Sequence, residues 1–346
     1  SSLNTDGTPD NSPTSRKQHC MTTVGSSFFI FGGEALGSKQ LLADVHEYTV
    51  CHNWARTHSG DEHFICPSPR VGACFHCAAS KLYLFGGLSL ESEGKLLNDI
   101  WVFSGDVASN LPEWKCLTLV DSLRPAARTD FASTALDNKL FVCGGEVQAS
   151  DGSSVKTMDL WCYDADVGKW ECIFVYNSEL SRPCPSARSL HSISACASPQ
   201  PCLLLFGGDV SIDVSAQEIP VNELWVFDIS SRCWTLQESC PHSPPPRYKH
   251  CSAVVLQHLY IFGGFLSQDE NHTPQFLRNQ LWRFSVTTQS WEMLHQLAGV
   301  LLDTACAVVG THITVFGGID DDDVPAACLY TFDCAASEKV PAWVAH

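Results

Sequence analysis

Residues 29–33 read FIFGG, an apolar run that stops at two glycines. The same ending returns as LFGG at 84–87, FVCGG at 141–145, LLFGG at 204–208, IFGG at 261–264 and VFGG at 315–318. Each run reads as a buried β-strand. The paired glycines read as its exit, where the backbone needs torsions that a Cβ would forbid. The first glycines of the pairs lie 54, 58, 63, 56 and 54 residues apart. Self-similarity at such a period marks a repeat architecture.

Working outward from the glycines, every repeat shows the same order of landmarks. In the first, CMTTV at 20–24 is a short strand, Gly25-Ser26 a tight turn, and FFIF the second strand. A polar stretch follows, then a third strand, DVHEYTV at 44–50, and a fourth marked by Trp54. The later third strands read NDIWVF at 98–103, MDLWCY at 158–163, NELWVF at 222–227, NQLWRF at 279–284 and CLYTF at 328–332. The later fourth-strand tryptophans are Trp114, Trp170, Trp234, Trp291 and Trp343. Without helical periodicity, this pattern predicts a four-stranded antiparallel meander, six times over. Such units bury their faces against one another, and closing into a ring leaves only short protected edges.

The combined order is Arg-x-x-His, apolar-Gly-Gly, an Asp-Leu-Trp-like strand, then an aromatic residue and a tryptophan. Tyr163 and Trp170, Phe227 and Trp234, and Phe284 and Trp291 are each seven apart. This order resembles the kelch motif over roughly residues 16–346. The resemblance implies an all-β fold, a six-bladed kelch β-propeller with four antiparallel strands per blade. The expected blades are about 16–66, 67–124, 125–184, 185–243, 244–297 and 298–346. Residues 1–15, rich in Ser, Pro, Asp, Asn and Thr, read as a disordered leader or linker. The sixth blade is expected to come wholly from the C-terminal repeat, with a short outer strand. Two departures stand out. The last repeat has Leu301 and Thr304 at the Arg and His positions, and the second and third have Ala73 and Phe131 in the His slot.

Composition limits the function classes. The formal net charge of −17 argues against nucleic acid or an anionic membrane as the main partner. No apolar run approaches the ~20 residues needed to span a bilayer. Eighteen cysteines invite a disulfide reading, but Cys20, Cys74 and Cys251 share a slot that holds Ala132, Ser192 and Ala305 in other repeats. Cysteine is used here as a small buried hydrophobe. Reduced thiols and a cytoplasmic location are therefore expected. CFHC at 74–77 has C-x-x-C spacing but lies in a core strand with no second pair, so no metal site is expected there.

Loop lengths nominate a working face. The first-to-second and third-to-fourth turns, which share one end of each blade, are mostly tight. The loops at the other end are long: 34–43, 88–97, 146–157, 209–221 and 265–278 within blades, and 55–69, 115–127, 171–187 and 235–246 between them. Long loops on a rigid scaffold are where binding usually resides. At that same end Arg16, Arg70, Arg128, Arg188 and Arg247 each open an inner strand, four of them 16 residues before their glycine pair and Arg188 19 before. Sixfold geometry places the five guanidiniums around the mouth of a central channel, and guanidinium is a preferred fork for carboxylates. Kelch substrate receptors hold acidic peptides or polypeptide C-termini with arginines at this position, so the resemblance implies a carboxylate-binding mouth. A structural alternative stays open: the arginines can pair with Asp44, Asp99, Asp159 and Glu223 at the starts of third strands, tying blades together and leaving Arg247 the least neutralised. His19, His191 and His250 are expected to be hydrogen-bonded core residues.

Weaker features are read blandly. Asp320 to Asp323 form a solvated acidic loop, and Asn271-His-Thr273 is a lone glycosylation sequon. With no catalytic or metal constellation, the expectation is a non-catalytic protein-interaction module without cofactor. It would take a protein or peptide partner, one bearing a carboxylate included, as a ubiquitin-ligase substrate receptor would. The alternatives are a structural scaffold of a cytoskeletal or ciliary assembly and a carbohydrate-active or metal-dependent kelch enzyme. Oligomeric state is left open.

Overall fold

Short strands with buried faces and tight turns between them produce sheets, and no helix, among the described residues. The computed structural model describes residues 12–49, 53–58, 65–90, 94–104, 113–117, 123–175, 182–212, 217–238, 242–268, 274–276, 280–296, 303–318, 329–335 and 344–345. Among them, six antiparallel sheets of four or five strands follow one another in sequence, with strands over 16–58, 74–116, 128–174, 192–236, 251–296 and 305–345, and a separate two-stranded hairpin, Phe265–Gln268 with Pro274–Phe276, rises within the fifth. The inner strands Cys20–Val24, Cys74–Ala78, Ala132–Leu136, Ser192–Cys196, Cys251–Val255 and Ala305–Val309 each touch the next, and the last touches the first. The result is a closed six-bladed β-propeller. All four strands of the sixth blade come from 305–345, the outer one being Val344–Ala345. Most of the expected leader (residues 1–11), Trp343, Asn271 to Thr273 and the Asp320 to Asp323 run lie outside the described residues.

The core sits between blades rather than inside them. Each of six apolar clusters draws side chains from two consecutive blades. The closing cluster joins Met21, Phe28 and Ile30 to Ala305, Phe316 and Leu329. Outer-strand tryptophans reach back to the aromatic residue before the preceding blade's glycines. Trp114 meets Phe31 at 5.5 Å, Trp170 meets Phe85 at 4.8 Å, Trp291 meets Phe206 at 5.4 Å and Trp54 meets Phe316 at 5.1 Å. Such aromatic pairs add about 0.5–1.5 kcal/mol beyond the area they bury. Where Cys143 replaces the phenylalanine, Phe174 packs on Trp234 instead, at 6.2 Å.

The glycine pairs differ from the sequence reading in three blades. Strands Ser27–Ala35, Lys81–Ser89 and Lys139–Gln148 run through their glycines, with register shifts at Phe31/Gly33, Phe85/Gly87 and Cys143/Gly145. The pair is there a β-bulge, not an exit. Much of the loops expected at 34–43, 88–97 and 146–157 is consequently paired strand, forming hairpin arms above the face. In the last three blades the second strand does end at Phe206, Phe262 and Phe316.

Both glycines face close neighbours. Gly144 has φ +62°, and a Cβ there would lie 2.8 Å from the His191 ring and 3.0 Å from the Arg188 carbonyl of the next blade. A Cβ on Gly145 would meet Phe131 of its own blade at 2.6 Å. The first glycine thus admits the neighbouring blade and the second admits the blade's own inner strand.

Candidate functional site: the channel mouth

The long-loop face surrounds a central channel, and the five arginines stand in its wall. Each is at most 1 % exposed. Each Nε donates to the carbonyl two residues earlier at 3.0–3.2 Å. Each Nη1 donates to the first glycine of its own blade's pair: Gly32, Gly86, Gly144, Gly207 and Gly263, at 2.9–3.1 Å. The guanidinium therefore pins the first glycine's carbonyl, which in the first three blades is the carbonyl of the bulge.

The acids at the starts of the third strands complete the arrangement. Arg16 grips Asp44 at 2.7 and 3.1 Å, Arg70 grips Asp99 at 2.7 and 2.9 Å, and Arg128 grips Asp159 at 2.9 and 2.8 Å. Arg188 donates to Glu223 at 2.7 Å. These pairs lie within a blade, inner strand to third strand, and so do not tie blades together as their spacing suggested. The blades are stitched by backbone instead: Gly33, Gly145 and Gly208 donate to the carbonyls of Arg70, Arg188 and Arg247, and Gly318 closes the ring on Arg16 at 3.0 Å.

The Asp-x-Trp pattern has a physical reason here. Residues two apart on a strand share a face, so the tryptophan indole donates to the acid: Trp101 to Asp99, Trp161 to Asp159 and Trp225 to Glu223. In the first blade His46 contacts Asp44 at 2.9 Å in the same role. Burial pushes these carboxyls up, but hydrogen bonds outweigh it: from His46 and then Arg16 at Asp44, and from the arginine, its charge and the indole at the other three. Asp99, Asp159 and Glu223 end below the usual carboxylate range, and Asp44 well below it.

Arg247 differs. Its Nη2 meets the Gln280 side-chain oxygen at 3.3 Å, an acceptor shared with Trp282 at 3.0 Å. Burial without a carboxylate lowers its pKa to about 9. Arg16 and Arg70 use all five N–H groups, because Thr14 and Ser68 supply hydroxyl acceptors. Arg247 follows Pro245, which has none.

His19, His191 and His250 line the wall one residue further in, each under 9 % exposed. Their rings press on Gly317, Gly144 and Gly207 of the preceding blades. Ser192 contacts His250 Nε2 at 2.8 Å, and the His19 and His191 rings make hydrogen bonds of looser geometry with the backbone of Phe316 and Cys143 in the preceding blades. These are the hydrogen-bonded core histidines expected. Burial, then the adjacent arginine, pushes His19 and His191 down to about 3, so both are neutral.

The groups that face the channel are ones the repeat motif does not mark. Two residues after each arginine position stand Gln18, Gly72, Asp130, Leu190, Lys249 and Asp303, all with φ between 52° and 61°. They hand a hydrogen bond around the ring: Gln18 donates to Asp303, Gly72 to Gln18, Leu190 to Asp130 and Lys249 to Leu190, at 2.9–3.3 Å. Together with the histidine positions they line a cavity of about 160 Å³. Lys249 pairs with Asp303 at 3.8 Å. Asp130 has no side-chain hydrogen bond or ion pair among the described residues. Burial, then the charge of Glu146, raises its pKa to about 6. Only the shared position of these six residues could have revealed the ring, since their chemistry runs from glycine and leucine to lysine and aspartate.

Above the ring, Lys156 is ion-paired with Asp209 of the next blade and donates to the Ser211 hydroxyl at 2.6 Å. Glu146 accepts from Ser189 at 3.1 Å. Tyr248 stacks on Phe265 with ring centres 5.5 Å apart. Among the described residues no three His, Cys, Asp or Glu side chains form a metal-holding set, and the described cysteines are free thiols. Cys74 and Cys77 of CFHC lie three apart on one strand and so point to opposite faces. Among the described residues, no helix is long and apolar enough to cross a membrane.

Known proteins share this pattern. The family described as the KLHDC2/KLHL20/DRC7 Kelch-repeats domain matches residues 18–264. Human host cell factor 1 is 28 % identical over 241 residues, 62 % of this chain and 11 % of that protein. The chain thus spans about a tenth of that relative's length. The leucine-zipper-like transcriptional regulator 1 homolog of Drosophila melanogaster is 23 % identical over 94 % of this chain and 31 % of its own length. The N-(sulfonatooxy)prop-2-enimidothioate sulfolyase of Thlaspi arvense is 25 % identical over 81 % of this chain and 79 % of that enzyme. With six blades, paired-glycine bulges and an arginine–acid–tryptophan set behind them, the chain belongs to the kelch-repeat family of β-propellers.

Proposed function

We propose that this chain is a non-catalytic protein-interaction module that takes a peptide or protein on its long-loop face, as a cytoplasmic ubiquitin-ligase substrate receptor would. One observation carries the reading: exposed large apolar side chains collect at that end of the blades. Ile65, Leu90, Leu123, Val155, Ile212 and Ile219 all stand there, with Ile212 97 % exposed, whereas Val167 and Leu256 stand on the opposite face. Exposed apolar groups gathered on one side of a rigid ring are the usual mark of a protein contact. The family's common use as protein-binding propellers supports the same reading, as do the buried free thiols for the compartment. In this reading the arginines form the wall of the mouth. A ligand carboxylate would go to Arg247, whose guanidinium has no acidic partner among the described residues.

The test replaces Leu90 and Ile212 with Asp and compares captured proteins with those held by the parent and by a Val167→Asp, Leu256→Asp control. The reading expects partners lost from the first variant and kept by the second. Equal capture by all three would overturn it. The sulfolyase relative favours a catalytic alternative, which would show instead as turnover of a sulfated thioimidate by the parent protein.

A further inference from the structure

We propose that the channel mouth takes a basic side chain: a partner segment inserts one lysine or arginine against Asp130 and Glu146, with its apolar neighbours on Leu90, Val155, Ile212 and Ile219. This rests on the interaction reading above and names the partner's chemistry. Most charges near the mouth are already used. The five arginines turn their N–H groups into their own blades, so the wall offers the channel almost no positive surface. Lys156 is spent on Asp209, Lys17 lies 3.5 Å from Glu34, and Lys249 lies 3.8 Å from Asp303. Asp130 is left over, a carboxylate in a partly buried cavity without a counter-ion among the described residues. Among the described residues Glu146 is held by hydroxyls, Ser189 at 3.1 Å and Ser154 at 3.4 Å.

Shape agrees: Gly72, beside Asp130 in the same cavity, has no side chain, and a Cβ there would meet the Thr129 hydroxyl at 2.7 Å and lie 3.8 Å from Asp130 Oδ1. The apolar tips come from blades two, three and four, and blade three carries Asp130 and Glu146. A segment with a cation flanked by apolar residues therefore meets charge in the throat and hydrocarbon on the rim. The net charge of −17 draws such a segment in from a distance.

The experiment selects from a random hexapeptide phage library with the 346-residue protein as bait, then measures affinities of the selected peptides as acetylated, amidated synthetic peptides. The proposal expects Lys or Arg beside apolar residues. It also expects affinity to fall at least about tenfold in Asp130→Asn and in Glu146→Gln, with Asp166→Asn, on the opposite face, unchanged. Unfolding curves of the variants confirm that the fold is kept. Peptides that lose affinity equally in all three variants would show diffuse attraction to an acidic protein and overturn the proposal. Peptides selected for acidic residues, and lost in Arg247→Met but not Asp130→Asn, would overturn it in favour of the carboxylate reading while keeping the interaction module. No selection of any peptide, together with an unchanged capture profile for the Leu90→Asp, Ile212→Asp variant, would remove both.

Discussion

Arg247 donates to the side-chain oxygen of Gln280 at 3.3 Å, in the place where four other blades set a carboxylate against the arginine. A guanidinium buried against neutral acceptors keeps much of its desolvation cost. Gln280→Glu supplies the missing charge without changing side-chain length. The variant is expected to be more stable than the parent by about 1–3 kcal/mol, read from the urea midpoint. A lower midpoint would show that Arg247 does not need a counter-ion.

The converse change removes an acid that is present. Asp159 accepts two bonds from Arg128 and one from the Trp161 indole. Asp159→Ala leaves a buried guanidinium and a buried N–H without their acceptor. A loss of about 3–5 kcal/mol in unfolding free energy is expected. A loss under about 1 kcal/mol would place the pair among weak surface bridges.

Acid should weaken the fold through the histidines before it reaches the acids. The folded His191 has a pKa of about 3 against 6.5 unfolded, so the unfolded state binds the extra proton between those values. Stability therefore falls as pH drops through that window. Asp99, Asp159 and Glu223 act in the same direction but lower, because their folded pKa values are depressed. Asp130, raised to about 6, works the other way and loses its contribution as pH rises. Phenylalanine occupies the same slot as Phe131 in the third blade, so His191→Phe fits the site. That variant should lose about 2 kcal/mol less than the parent between pH 7 and pH 5, measured by urea unfolding at both. Equal losses would contradict the assignment.

The bulge glycines should be far less replaceable than those at hairpin tips. Gly144→Ala drives a methyl into the His191 ring and the Arg188 carbonyl and also holds alanine at φ +62°. Gly152, at the tip of the same blade's hairpin with φ +87°, faces open space. Gly152→Ala should cost about 1–2 kcal/mol from backbone strain alone, and Gly144→Ala clearly more. Similar thermal midpoints for the two variants would mean that the neighbouring blade yields at the bulge.

The glycine pairs, the third-strand tryptophans and the arginine spacing were enough to read six blades and the face that carries the longer loops. They could not tell a bulge from an exit. Both need positive φ, and the paired residues beyond, such as Glu34 and Ala35 or Glu146 and Val147, are too few to show alternation. Spacing placed five arginines at the mouth but not the direction of the forks. That depends on the bulge carbonyl of Gly32 and its counterparts, a group with no signature in the residue string. Asp130 and Lys249 stayed unread for a related reason. Their slot is fixed by a left-handed backbone that Gln18, Leu190 and Gly72 share with them, and nothing in side-chain type marks it.

Arginines that build the mouth, rather than fill it, are central to all of this. The most direct measurement is the unfolding free energy of Arg70→Met, since Arg70 spends all five N–H groups on Ser68, Gly86 and Asp99. A structural arginine predicts a loss of about 3–5 kcal/mol. A variant as stable as the parent would refute the structural role and return the guanidinium to the channel.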